Sequence, residues 1–96
     1  MEEQENLLEM HAIVNGYVQG IGFRATARQF AVNLGLTGTA RNMPDGTVEM
    51  YAQGNKETLE KFIKKLQDHF GIGYITSIQI KHSNPSRKFQ GFTIVH

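Results

Sequence analysis

Three glycines fall within seven positions at Gly16-Tyr17-Val18-Gln19-Gly20-Ile21-Gly22, and Phe23-Arg24 follow where a helical pattern begins. Glycine accepts positive φ and lets a ligand approach the main chain. The amides of Val18, Gln19, Gly20, Ile21, Gly22 and Phe23 are therefore placed to curl around one anion. Phosphate suits such a nest. A helix starting near Phe23 adds unpaired N–H groups and its positive dipole end, and Arg24 adds a forked guanidinium for two oxygens. The segment could hold a dianion without a metal. The same triplet also describes an ordinary strand-to-helix turn. It matches neither the Walker pattern, because no Lys follows the last glycine, nor the dinucleotide fingerprint, whose glycines are spaced differently.

The rest of the chain offers little competing chemistry. With no cysteine among 96 residues, disulfides, thiolate catalysis and sulfur-rich zinc sites are excluded together. His11, His69, His82 and His96 lack metal-ligand spacing, so no metal site is expected. Ser77, Ser83 and Ser86 lack a nucleophile elbow. The formal charge is +1 with dispersed basic residues, which gives no nucleic-acid stripe and no membrane-surface helix. The opening MEEQENLLEM is acidic and lacks the segments of a secretory signal, and no run reaches the roughly 20 apolar residues that span a bilayer. A soluble cytoplasmic protein, working as a monomer, is the expectation.

These residues must be positioned by regular elements. Residues 1–8 read as a flexible arm and 9–96 as one domain, since the chain is too short for two cores. Met10, Ala12 and Val14 alternate with polar neighbours over 9–15, the period of a half-buried strand that delivers the chain into the glycine loop. Ala27, Phe30, Ala31 and Leu34 recur at helical spacing, with Phe30 and Leu34 read as core and Gly35 as the C-cap. A short strand over 38–42 leads through Asn42-Met43-Pro44-Asp45-Gly46, a strong turn signal, into a hairpin partner in which Val48, Met50 and Ala52 alternate. Asn55 caps a second helix with the stripe Leu59, Phe62, Ile63, Leu66 and Phe70. Its outer face carries the i, i+4 pairs Glu57 with Lys61 and Glu60 with Lys64. A strand over 74–82 with Thr76, Ile78 and Ile80 on one face, and a short edge strand over 90–95, complete the pattern.

The order β-α-β-β-α-β, then a short β, predicts an α+β, ferredoxin-like split βαβ sandwich: a mostly antiparallel sheet with both helices on one face. In this reading the first and third strands are parallel neighbours, and Asn42 at the hairpin can approach the glycine loop. Arg41, by alternation, points away from Asn42. The architecture serves many functions, so the site must decide. Tyr51 on the open sheet face lacks the companion aromatics of an RNA-binding module, so no nucleic-acid partner is expected.

The stretch GYVQGIGFR resembles the acylphosphatase signature G-x-V-Q-G-V-x-F-R, with Ile21 in place of the usual Val. Gly38-Thr39-Ala40-Arg41-Asn42, Gly46-Thr47-Val48 and Gly54 resemble the family's second signature, and the two motifs cover about a third of the chain. The resemblance implies hydrolysis of a small-molecule acyl phosphate with no cofactor. Arg24 and the loop amides would hold the phosphoryl group, and Asn42 would position the attacking water. Gly16, Gln19 and Thr26 serve as structural supports in this scheme. Thr39 replaces a usual aromatic and His96 a usual Tyr or Arg, which bears on substrate preference. An alternative is a phosphate- or carbamoyl-phosphate-binding module without turnover, as in acylphosphatase-like domains of larger maturation proteins.

Overall fold

The computed structural model describes residues 7–96. Five strands and two helices follow in the order β1 (Leu7–Gly16), α1 (Phe23–Asn33), β2 (Thr37–Asn42), β3 (Val48–Asn55), α2 (Lys56–Phe70), β4 (Ile75–Ser83) and β5 (Phe92–Val95). Residues 1–6 of the expected arm lie outside the described residues. Leu7 and Leu8, assigned to that arm from sequence, instead belong to β1, where they pair with Asn55 and Gly54.

The sheet order is β4-β1-β3-β2-β5, with a parallel pairing only between β2 and β5. β1 and β3 are neighbours, but antiparallel, which corrects the parallel pairing expected from sequence. The crossover through α1 makes β1 and β2 run the same way, and the β2–β3 hairpin then reverses β3 between them. This has a direct consequence for the site. Val14 and Asn42 both pair with Val48, so the C-terminal ends of β1 and β2 lie at one end of the sheet with a single strand between them.

Strand alternation builds the core. Met10, Ala12 and Val14 of β1, Ala40 of β2, and Val48, Met50 and Ala52 of β3 are all buried against the helices. From α1 the buried residues are Phe23, Ala27 and Ala31, and from α2 Leu59, Phe62, Ile63 and Leu66. Phe30 and Leu34, read as core from their spacing, are only half-buried at its margin, because the alanine ridge of α1 is what meets the sheet. Lys65 Nζ sits 5.0 Å from the Phe30 ring centroid and covers it. Each fully buried Leu or Phe contributes about 1.5–3 kcal/mol relative to exposure, so this stripe holds the helices in place.

The ends of α2 follow from local chemistry. Asn55 is extended (φ −78°, ψ 162°), and its side-chain oxygen accepts from the Thr58 amide at 2.8 Å. Of the charged pairs expected on its outer face, the ion pair found among the described residues is instead Lys64 with Asp68 at 3.2 Å, the lysine reaching forward along the helix.

β4 carries a second correction. A bulge at Asn15–Gly16 lets Ile75 pair with Gly16 while Ser77 pairs with Asn15, so Thr76 is extruded. Ile75 is buried in place of Thr76, and of the expected face only Ile78 packs on the core. Gly16 is required at this bulge: at φ 134° an added Cβ would fall on the Tyr74 carbonyl oxygen, which accepts the Tyr17 amide at 2.8 Å.

Candidate active site

The segment leaving β1 is pinned at both ends and open in the middle. Val18 (1% exposed) and Phe23 (2%) plug into the core, and the Phe23 ring stacks on Phe70 at 4.9 Å. Between them the chain must turn outward, and Gly20 (φ 83°) and Gly22 (φ 79°) supply the left-handed backbone. An added Cβ at either would meet nothing within 4 Å, so the requirement is dihedral and not steric. Gly22 is also the N-cap of α1. It offers no side-chain cap, and the first helical turn has no acidic residue.

The backbone donors here are left over. Among the described residues, Tyr17 donates to Tyr74, and the next well-formed main-chain donor is Thr26, whose amide meets the Gly22 carbonyl at 3.0 Å. Amides from Val18 to Ala25 make no such bond. An array of free N–H groups at a helix N-terminus attracts an anion through both hydrogen bonding and the helix dipole.

Val18, Gly20, Gly22, Phe23, Arg24, Ala25, Asn42 and Ile94 line one cleft of about 160 Å³. Arg24 and Asn42, 18 positions apart in the chain, thus face the same concavity. Arg24 is half-buried and makes no ion pair with a carboxylate among the described residues. The wall offers amides, a guanidinium and a carboxamide, together with the apolar surfaces of Val18 and Ile94.

Other residues singled out from sequence lie around this cleft. Ile21, 37% exposed, and Gln19 are not among the residues that line the cleft, although their amides were expected there, and Thr26 is half-buried one turn into α1. Gln19 is turned aside: its side-chain Nε2 donates to the Met43 carbonyl at 2.8 Å and the Thr47 carbonyl at 2.9 Å. Those two residues close the β2–β3 turn on themselves, the Met43 amide donating to the Thr47 carbonyl at 2.8 Å. Asp45 stiffens the same turn by accepting from the Thr47 hydroxyl and amide, bonds that hold its carboxyl below the ordinary range.

Two lining residues were missed from sequence. Ala25 had a signal, as a small residue in the first helical turn whose amide a ligand can approach. Ile94 had none, because it enters through the parallel β2–β5 pairing that sets it opposite Ala40.

The opposite face of the sheet carries the carboxylates. Arg41 points there, as alternation predicted, and its guanidinium donates to Glu49 at 3.0 Å while His11 meets the other Glu49 oxygen at 2.8 Å. Burial raises the Glu49 pKa, but the hydrogen bonds from His11 and Arg41 outweigh it and bring the net value below the ordinary one. Buried Glu9 behaves likewise. Its desolvation is outweighed by Gln53 Nε2 donating at 2.8 Å and by the Ser86 amide and hydroxyl. Among the described residues no group of three His, Asp or Glu side chains could hold a metal ion.

The fold and the cleft define the class as a small α+β domain of ferredoxin-like topology with free main-chain amides at the exit of its first strand. Comparison with known proteins narrows it. The family model described as acylphosphatase matches residues 10–94. An acylphosphatase of Lactobacillus gasseri is 40% identical over 84 residues, covering 86% of this chain and 92% of that protein. The crystal structure of acylphosphatase from Bacillus subtilis superimposes with a TM-score of 0.85 at 32% identity, covering 93% of this chain and 99% of that one. A full-length HypF in its phosphate- and nucleotide-bound form shares the fold, with a TM-score of 0.84 at 24% identity over 12% of its own length. The chain belongs to the acylphosphatase family and to the enzyme class that hydrolyses acyl phosphates.

Proposed function

We propose that this chain hydrolyses acyl phosphates without a metal, with the Val18–Phe23 amides and Arg24 holding the phosphoryl group and Asn42 positioning the water. The observation that supports this reading is the shared cleft: Arg24 and Asn42 line one concavity with Val18, Gly20, Gly22 and Phe23, whose amides make no main-chain hydrogen bond among the described residues. Water attacks phosphorus, the bond from phosphorus to the acyl oxygen breaks, and a carboxylate and inorganic phosphate leave. The leaving group's conjugate acid has a pKa of roughly 4, so it departs near neutral pH without a general acid. What remains for the protein is alignment and stabilisation of charge on the equatorial oxygens, which amides and a guanidinium supply. Asn42 orients a water and does not deprotonate it, an amide being too weak a base.

Every group in this scheme comes from one chain within residues 9–96, so a monomer suffices, and its cysteine-free composition suits the cytoplasm. The test is turnover of a synthetic acyl phosphate in the presence of a chelator, comparing Arg24→Ala and Asn42→Ala with the parent. Loss of one preorganised donor to transferring charge costs about 10²–10³ in kcat. Turnover at the parent rate by both variants, or abolition of parent turnover by the chelator, overturns the reading.

A further inference from the structure

We infer that the Gln19 side chain is a positioning residue for hydrolysis, a clamp that sets Asn42 against the anion cradle. The inference rests on the role proposed above for Asn42.

Gln19 sits inside the cradle segment, yet its side chain does not face the cleft wall. Its Nε2 instead spans to two carbonyls, Met43 at 2.8 Å and Thr47 at 2.9 Å, across 24 and 28 positions of sequence. Both carbonyls belong to the turn that begins one residue after Asn42. Asn42 pairs with Val48, so the clamped residues are the immediate chain neighbours of the Asn42–Val48 rung. Asn42 itself makes no side-chain hydrogen bond among the described residues, so nothing but its backbone and packing fixes its carboxamide. Two N–H donors of one amide holding both arms of the turn remove the hinge freedom that would let Asn42 shift relative to the loop.

The chemistry separates the clamp from the cradle. The residues that line the cleft do not include Gln19, and its side chain serves the turn, so a side-chain change leaves the cleft donors in place. Displacement of a reacting group by about 1 Å can cost on the order of 10²-fold in rate. Loosening without loss of Asn42 should cost less, on the order of tenfold.

The experiment uses Gln19→Met, which keeps length and removes both donors, and Gln19→Glu, which replaces them with an acceptor facing two carbonyls. The clamp predicts a fall in kcat of about tenfold for Met and more for Glu, with the dissociation constant of inorganic phosphate changed less than threefold for Met. In the Asn42→Ala background, single-turnover rates at high enzyme concentration should show little further loss from Gln19→Met, because the clamp acts through Asn42. An unchanged kcat for Gln19→Met overturns the clamp, as does a phosphate affinity that falls in parallel with kcat. So does an undiminished further loss in the Asn42→Ala background. Parent-like turnover by Asn42→Ala sinks the water-positioning role itself, which separates that failure from a failure of Gln19.

Discussion

Gly22→Ala is a test in which conformation and sterics are cleanly separated. Gly22 lies at φ 79°, ψ 21° as the N-cap of α1, and a Cβ there meets no atom within 4 Å. The substitution therefore removes no contact and creates no clash. Its cost is that of holding an L-residue left-handed, about 1–2 kcal/mol. For a domain of this size each kcal/mol lowers Tm by about 4–8 °C, so Gly22→Ala should unfold roughly 4–16 °C earlier. Relief of that strain rotates the Gly22–Phe23 peptide, re-aiming the amide of Phe23, a residue that lines the cleft, and acyl phosphate turnover should fall about tenfold or more. Gly22→Asn is the control, since asparagine visits this region more readily, and it should recover most of the Tm and part of the rate. Thermal unfolding and chelator-treated turnover on the three proteins decide the matter. Parent-like turnover in Gly22→Ala would refute the idea that left-handed backbone at 22 aims the cradle. An Asn variant no better than the Ala variant would refute the dihedral explanation.

Two further outcomes follow from the structure. Asn55→Ala should lose the cap to Thr58 and about 1 kcal/mol of stability, seen as a lower Tm with kcat unchanged, because Asn55 is remote from the cleft. Glu9 and Glu49 both have folded pKa values below the ordinary 4.5, so their contribution is complete above that pH and is lost as pH falls through the folded values. Tm should therefore drop steeply below about pH 4.5, and Glu9→Gln should start lower at neutral pH and show a shallower acid limb; an acid limb identical to the parent's would contradict the buried Glu9 network.

What was legible in the sequence was local. The glycine loop, the α1 start at Phe23, the Pro-Asp-Gly turn and the Asn55 cap each depend on a few adjacent residues, and each stands in the structure as read. The two motifs also brought Arg24 and Asn42 to one cleft. What failed depended on distant partners. The direction of β3 relative to β1 follows from combining a crossover with a hairpin, and the period of neither strand encodes it. Thr76, Ile78 and Ile80 alternate correctly along β4, yet a bulge that leaves Thr76 unpaired against Asn15–Gly16 decides that Ile75 is the buried residue. Gln19 read as a support without a partner, because Met43 and Thr47 accept its bonds from another hairpin. The polar group on the open face is likewise nonlocal, joining Glu9 to Gln53 and Ser86 across 44 and 77 positions.

The most direct measurement is a titration of inorganic phosphate into uniformly ¹⁵N-labelled protein, followed by amide and side-chain resonances. Saturable shifts should concentrate on the backbone amides from Val18 to Ala25, the Arg24 guanidinium and the Asn42 carboxamide, and Arg24→Ala should weaken them. Shifts centred on the opposite face, at Arg41, Tyr51 and Arg87, with the loop amides unmoved, would contradict a single anion cradle shared by Arg24 and Asn42.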